Sequence, residues 1–510
     1  MPVVLMLLLT LPVAVALACL RVPAAVARTA TAGCGAACFG LVLALVPAAA
    51  HGDVQYLRFL RVDAVSAVFL LATGFLYAAA AVYSIGYLSG RADQRYSRRF
   101  WVGLNLFAWA MLAAPMMSNL ALLWVAIEVT TVVSALLVAI EDTDGAAEAA
   151  WKYVLLASTG LGLALLATIF AYYAGAHVLG QSYDLGFAQL IAVAGRLPHA
   201  AVQLSFVLAV VGFGTKMGLV PVHTWLPDAH SEAPTPVSAL LSGSLLAISF
   251  YAILRFYQVA EAALGPRFPR NVLLVFGVAS LLLAALYLFG QRDIKRLLAY
   301  SSVEHMGIMA IGVSFGAPAA LAGVLLHVLA HAAAKGNAFM GAGVLVRKFG
   351  TNRIADLRGG LDLLPWSGPL FLLAIFALGA MPPFGLFRSE FEIVAGGLGQ
   401  GSDVAAAILI VGVTVAFFGL AAATTRVLMR PPRRAVPAVE LELVPAGAGP
   451  GGLAGSPPAG PVLARGEPSG WMVVPVVAGA LVLLLLGVHP PAELNELFDR
   501  AVRLLSGAGS

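Results

Sequence analysis

Three titratable side chains recur at a helical spacing within one apolar segment. His327, His331 and Lys335 stand at i, i+4 and i+8 in "GVLLHVLAHAAAKGNAF", so they share one helix face. Histidine titrates near neutral pH, and a row of such groups can pass protons. The same spacing occurs in metal sites, but no carboxylate completes a ligand set in this segment. We therefore expect a proton relay, with a static buried cluster as the alternative.

Glu128 and Lys216 are also surrounded by apolar sequence, in "LLWVAIEVTTVV" and "VVGFGTKMGLVPVHTW". A charge in hydrocarbon is costly, so such residues usually face a partner or a water path. If the two side chains pair, each changes the proton affinity of the other. Forming and breaking the pair would then act as a switch. A permanent structural ion pair is the alternative.

Glycine and proline interrupt two of the apolar segments. Gly218 and Pro221 follow Lys216, and Pro382 and Pro383 precede Glu390. Broken helices are tolerated at membrane depth where they line a cavity or an ion path. Corresponding breaks in two halves of a chain are typical of inverted-repeat transporters.

Two further groups are candidate accessory residues. The segment "HTWLPDAHSEAPTPVSALLSG" carries His223, Asp228 and His230, which could line a funnel at the membrane edge. A rigid, proline-set connection with solvated charges is the alternative. Glu304 and His305 open another apolar segment, where they either extend a polar track or are solvated at a helix end.

Composition shows which kind of protein must position these residues. Of the 510 residues, 61% are hydrophobic and 11% are charged, and the mean hydropathy is +0.93. Soluble domains carry about 25% charged residues. The composition therefore excludes a soluble enzyme, a nucleic-acid-binding domain and a disordered chain, and it indicates a polytopic, all-α membrane protein.

Apolar runs of sufficient length predict fourteen transmembrane helices. Most basic residues fall in the odd-numbered loops, counted from the N-terminus. That asymmetry places those loops in the cytoplasm and both termini outside. The predicted spans are 2–19, 29–50, 62–86, 101–116, 119–140, 151–174, 203–222, 236–259, 272–290, 297–314, 319–346, 368–395, 404–426 and 471–488.

The two broken helices, spans seven and twelve, divide the chain into parts. Spans four to eight and nine to thirteen would be two inverted five-helix halves. A segment rich in proline and glycine predicts a flexible cytoplasmic linker, and an amphipathic tail predicts a helix on the membrane surface or on a partner. The predicted parts are helices one to three (1–100), the first half (101–260), the second half (272–430), the linker (431–470), and the last span with its tail (471–510).

Two long stretches resemble a known family. "KMGLVPVHTWLPDAHSEAPTPVSALLSG" and "RDIKRLLAYSSVEHMGIM" are similar to signature stretches of the antiporter-like subunits. These are proton-channel subunits of respiratory complex I, of group 4 [NiFe] hydrogenases and of Mrp antiporters. "AYSSVEHMGIMAIGVSFG" and "MPPFGLFRSEF" most resemble the F subunit of hydrogenase-4-type complexes. The resemblance covers about residues 60–430 and implies fourteen spans in two inverted repeats.

The resemblance also implies roles for individual residues. Glu128 and Lys216 match the family's switch pair, and Glu390 matches its terminal exit residue. His327, His331 and Lys335 match the central relay. Many relatives carry a bridging lysine where this chain has Ala247, so water or a nearby serine, Ser244 or Ser249, would have to bridge there.

We therefore expect a proton-translocating subunit of a hydrogenase-4-like or formate hydrogenlyase-like complex in the bacterial inner membrane. We expect no catalytic residue, cofactor or metal in this chain. Nickel–iron and iron–sulfur centres are expected in a peripheral redox arm, beside other membrane subunits. The alternatives are a complex I pump, an Mrp-like cation/proton antiporter, the membrane half of an inorganic-carbon uptake system, or a scaffold that no longer pumps.

Overall fold

The protein is almost entirely helical. The computed structural model describes residues 1–431 and 464–507. The predicted linker 431–470 therefore falls mostly outside the described residues. The helices of the N-terminal part are α1 (Pro2–Cys19), α2 (Ala24–His51), α3 (Ala64–Tyr87), α4 (Gln94–Ala113), α5 (Leu120–Val138), α6 (Asp144–Leu179), α7 (Phe187–Ala192), α8 (His199–Met217), α9 (Leu226–Glu232) and α10 (Thr235–Leu240).

The remaining helices follow with short connections. A π-helical turn, Leu241–Leu245, joins α10 to the next helix, and strands β1 (Val54–Tyr56) and β2 (Leu60–Val62) form an antiparallel hairpin between α2 and α3. The helices are α11 (Leu246–Leu264), α12 (Arg267–Tyr287), α13 (Ile294–Phe315), α14 (Pro318–Phe349), α15 (Gly360–Leu363), α16 (Ser367–Leu378), α17 (Gly385–Gly399), α18 (Asp403–Leu428), α19 (Gly470–Val488) and α20 (Ala492–Leu505).

Eleven helices in the described part of the chain are long and apolar enough to cross a membrane. The other three predicted spans are also helical but differ in character. α4 and α13 are 20 and 22 residues long and carry charged residues in their first turns. The twelfth predicted span consists of two short helices, α16 and α17.

Both segments that the sequence predicts to be broken are interrupted. α8 ends at Met217, and Gly218 follows with φ +88° in the left-handed region, which favours glycine. The chain then turns into α9. In the second segment, α16 ends at Leu378 and α17 begins at Gly385. Lys216 and Glu390 each lie within six residues of such a break, counted along the chain.

Close packing of α6 on α8 fixes the position of Lys216. A β-carbon on Gly212 would lie 2.5 Å from the backbone nitrogen of Ala164, and one on Gly160 would lie 2.5 Å from Cβ of Thr215. Such distances leave no room for a side chain, so the two backbones touch at these glycines.

Arg255 lies in the middle of α11 and is fully buried. Its guanidinium donates to Asp63 Oδ1 at 2.6 Å and to Ser66 Oγ at 3.0 Å. It also lies over the ring of Phe187, with 4.4 Å from Cζ to the ring centroid. Asp63, the N-cap of α3, supplies the counter-charge that a buried arginine requires.

The amphipathic tail helix α20 packs on this chain's own helices. Leu494, Leu497 and Phe498 are buried, and α20 contacts α2, α3, α11 and α14. Arg500 bonds Asp53 at 2.6 Å and secures the helix to the β1–β2 hairpin region. The expectation that this tail lies on the membrane surface or on a partner is therefore corrected, because its apolar face is covered from within.

We expect Gly212→Leu to separate α8 from α6 and to destabilise the protein by about 1–3 kcal/mol, the usual cost of overpacking. Gly162→Leu is the matched control, since a β-carbon at Gly162 on α6 meets no atom within 4 Å. Thermal unfolding midpoints in detergent measure the difference. Equal midpoints for the two variants would contradict the close contact.

Candidate functional site

Lys216 lies in the last turn of α8 with 0% of its surface exposed. Its Nζ donates to Thr131 Oγ1 on α5 at 2.5 Å and to the Tyr153 hydroxyl on α6 at 2.6 Å. Tyr153 in turn bonds Ser134 Oγ at 2.7 Å. The Lys216 side chain therefore donates two hydrogen bonds to hydroxyl groups and contacts no counter-ion among the described residues. The sequence did not predict these hydroxyl partners.

Glu128 lies close to Lys216 but does not contact it. Its Oε1 accepts from Ser158 Oγ at 3.4 Å, and its side chain is partly exposed at the edge between α5 and α6. Within residues 1–431 and 464–507, no ion pair of 4.0 Å or less joins it to Lys216. The expected direct pair is thus replaced by Thr131 and Tyr153, although Glu128 stays within electrostatic range.

The predicted histidine stripe is formed and buried. His327, His331 and Lys335 follow one another on α14, and all three have 0% exposure. Lys335 Nζ donates to the carbonyl oxygen of Leu298 on α13 at 3.0 Å. The ring centroids of His327 and His331 are 6.2 Å apart.

His305 lies at the centre of this cluster, and not at a helix end. α13 begins at Ile294, so Glu304 and His305 are in the middle of the helix and fully buried. His305 Nδ1 lies 3.1 Å from His327 Nε2, and its ring centroid is 5.2 Å from those of both other histidines. Helix-end solvation, one of the two expectations for these residues, is therefore wrong.

Hydrogen bonds fix the tautomer of His327. The hydroxyl of Ser389 donates to the carbonyl oxygen of Leu386 at 2.8 Å, so its oxygen must accept from His327 Nδ1–H, 3.0 Å away. His327 Nε2 is then unprotonated and accepts from His305 Nδ1–H. The two rings and the serine form one directed chain of hydrogen bonds, which is an arrangement that can carry a proton.

Glu390 joins the histidine cluster from α17. It is 6% exposed, and ligand atoms of His305, His327 and Glu390 lie within 4.8 Å of one another. Glu390 Oε1 has no hydrogen-bond partner among the described residues. Glu304 lies within electrostatic range of both Glu390 and Lys335. A carboxylate therefore does complete this group, and the sequence could not reveal it because α17 comes from a distant part of the chain.

His230, on α9, lies between the Lys216 region and the histidine cluster. It is fully buried, and neither ring nitrogen has a hydrogen-bond partner in the part of the chain that the structure describes. Its ring centroid is 6.5 Å from that of Trp225 and 5.4 Å from that of Phe339. The ring centroids of Trp225 and Tyr153 are 4.5 Å apart, with the two rings tilted by 35°, and Lys335 lies within electrostatic range of His230.

The serines expected to bridge at Ala247 are engaged elsewhere. Ser244 Oγ pairs with Thr73 Oγ1 at 2.7 Å, and Ser249 donates to the carbonyl of Leu245 at 3.1 Å. Ala247 itself is buried. His230 is a buried titratable residue on the short helix between α8 and α10.

The segment after α8 was expected either to line a funnel at the membrane edge or to form a rigid connection with solvated charges. Asp228 forms ion pairs with Arg296 and, at 3.6 Å, with Lys152, which suits a rigid, charged connection. His223 is buried with its ring facing Tyr300, at 6.4 Å between centroids. Asp228 thus belongs to a rigid, charged connection, whereas His230 is buried in the interior.

Comparisons with known proteins agree with this arrangement. Residues 117–418 match the family model described as "NADH:quinone oxidoreductase/Mrp antiporter, TM". A hydrogenase-4 component F homolog from Methylacidiphilum infernorum is 36% identical over 381 residues, 74% of this chain and 80% of the relative. NADH-quinone oxidoreductase subunit N of Desulforudis audaxviator is 32% identical over 69% of each chain. A chain of the Mrp complex from a Dietzia species has the same fold, with a TM-score of 0.83 at 21% identity, covering 99% of this chain and 97% of that one.

We expect the effects of Tyr153→Phe and Lys216→Met on the free energy of unfolding to be non-additive. Removing the hydroxyl leaves the Lys216 amine with one hydrogen bond fewer, which should cost about 1–2 kcal/mol. In a protein that already carries Lys216→Met, Tyr153→Phe should lower the free energy of unfolding only slightly. Unfolding in mixed micelles measures this double-mutant cycle. Exposed Tyr173→Phe is the control, and fully additive effects would contradict the contact.

Proposed function

Since this chain belongs to the family of NADH:quinone oxidoreductase/Mrp antiporter transmembrane subunits, we propose that it translocates protons within a hydrogenase-4-type redox complex. It is a multi-pass, antiporter-like membrane subunit of the kind found in complex I, hydrogenase-4 and Mrp complexes. The observation that carries the proposal is the buried cluster of His331, His305, His327 and Glu390, with Lys335 on the same helix face as His327 and His331.

The proposed topology has fourteen spans. α4, α13 and the broken pair α16–α17 would join the eleven long apolar helices. Spans four to eight and nine to thirteen would form inverted halves in which the broken segment α8–α9 corresponds to the broken segment α16–α17. The excess of basic residues in the odd-numbered loops supports a bacterial inner membrane protein with both termini outside.

The proposed mechanism is electrostatic. In this structure Lys216 bonds Thr131 and Tyr153, and Glu128 is separate. A change in a neighbouring subunit that draws Lys216 toward Glu128 would exchange these hydroxyl contacts for an ion pair. That exchange would alter the field at His230 and Lys335, and hence the proton affinity of the groups beyond them.

Protons would then pass through the second half. Lys335 and Glu304 would exchange a proton with the histidines, and His305 and His327 would pass it to Glu390, which offers a carboxylate oxygen within 4.8 Å of their ring nitrogens. Glu390 would release it to the outside. Each step uses groups that are buried and partly unpaired, so proton affinity responds strongly to nearby charge.

Redox chemistry is assigned to partner subunits. Relatives of this chain are subunits of multi-subunit membrane complexes, so we propose other membrane subunits and a peripheral arm with nickel–iron and iron–sulfur centres. The relative at 36% identity favours the hydrogenase-4 setting. A complex I pump, an Mrp-like antiporter and a carbon-uptake subunit are the competing settings.

Lys216→Ala and Glu128→Ala should each lower proton translocation at least tenfold while the complex stays assembled, because the switch loses one member. Proton uptake by inside-out membrane vesicles of the native host measures the effect, and native gels check assembly. Lys152→Ala, a partly exposed lysine, is the control. Normal pumping by both variants would contradict the switch.

The complex that contains this chain can be identified by tagging it in its host and purifying it in mild detergent. We expect a nickel–iron hydrogenase large subunit and iron–sulfur proteins to accompany it. A flavoprotein NADH module would indicate complex I, and one soluble zinc-binding partner would indicate carbon uptake. Small antiporter subunits alone would contradict a redox-coupled function.

A further inference from the structure

Two histidines and a carboxylate meet in the interior of the second half. His305, His327 and Glu390 come from three different helices, and each offers one ligand atom within 4.8 Å of the others. All three side chains are buried. Nitrogen and carboxylate ligands in this number are typical of zinc and similar transition metals, whereas magnesium and calcium prefer oxygen alone.

The spacing of the two nitrogens suits a metal ion. His305 Nδ1 and His327 Nε2 are 3.1 Å apart. Two ligand nitrogens at the usual distance from a tetrahedral zinc ion lie about 3.3 Å apart. Both rings would have to rotate so that their nitrogens point to a shared ion and not at each other.

His327 is already oriented as metal-bound histidines usually are. Its Nδ1–H donates to Ser389 Oγ at 3.0 Å, which leaves the lone pair of Nε2 directed into the cluster. Such an outer hydrogen bond fixes the tautomer and the ring orientation of a ligating histidine.

Several polar atoms of these residues and of His331 have no hydrogen-bond partner among the described residues. Glu390 Oε1 and His305 Nε2 have no hydrogen-bond partner within the described ranges, and neither nitrogen of His331 has one. A metal ion would bind the carboxylate oxygen and displace the proton that the two imidazoles share onto His305 Nε2. The His331 ring, with its centroid 5.2 Å from that of His305, is close enough to supply a fourth ligand after a side-chain rotation.

We propose that His305, His327 and Glu390 form a binding site for a transition-metal ion of the zinc class. The proposal that a metal ion binds here depends only on the geometry of the three ligands. Its consequence rests on the proposed function: the ion would occupy the lone pairs along which protons pass, and it would therefore inhibit translocation.

Metal binding is tested on the purified, chelator-treated full chain. We expect one Co²⁺ per chain, with the visible absorption of a nitrogen- and oxygen-ligated site, and its displacement by Zn²⁺. His305→Ala, His327→Ala and Glu390→Gln should each weaken binding at least tenfold. His51→Ala removes an exposed histidine paired with Glu496 at 3.7 Å and should change nothing.

Folding and function are separated by two further measurements. Glu390→Gln keeps the side-chain shape, so this variant should elute from a size-exclusion column like the wild type while its affinity for Co²⁺ falls. Wild-type affinity in all three variants would overturn the site. Variant-sensitive binding without any proton transport in the wild type would support the site and count against the proposed function. Zinc inhibition that is lost in Glu390→Gln would support both.

Discussion

The cost of burying titratable groups without partners is the constraint on which this structure depends. Lys216, Lys335, Glu304, Glu390 and the central histidines are all removed from solvent, and several of their polar atoms have no hydrogen-bond partner among the described residues. An unsatisfied buried polar group costs about 1–3 kcal/mol. The surrounding helices must compensate for this cost, and the groups remain responsive to any change of charge nearby.

Packing provides that compensation. Glycine contacts bring α6 against α8 and hold Lys216 beside Tyr153. The buried Asp63–Arg255 pair joins α3 to α11, and α20 covers its own apolar face on four helices. Breaks in α8–α9 and α16–α17 release the backbone near Lys216 and Glu390. Closely packed helices thus surround the buried titratable groups.

Sequence patterns predicted those features that depend on local periodicity. The position of nearly every helix, the two breaks and the stripe of His327, His331 and Lys335 follow from hydropathy and spacing. They did not predict contacts between distant segments. Glu390 reaches His327 through a helix more than fifty residues away in the chain, and Tyr153 in "AAWKYVLL" carries no signal that distinguishes it from a lipid-facing residue.

Hydropathy and spacing indicated Glu128 as a partner for Lys216 and indicated no partner for Arg255. The competing partners, Thr131, Tyr153 and Asp63, depend on how helices face one another. Charge and depth can be predicted from one segment, whereas the choice of partner requires the fold.

His230 is the central test of this account, because it is buried beside Trp225 and Phe339 and lies within electrostatic range of Lys335, so the proposed coupling from Lys216 to Lys335 acts through it. The decisive measurement is proton translocation by vesicles carrying His230→Phe, alone and combined with Ala247→Lys. We predict loss of pumping in the single variant and partial recovery in the double variant, with the complex assembled in both. Normal pumping by His230→Phe would contradict electrostatic coupling through His230.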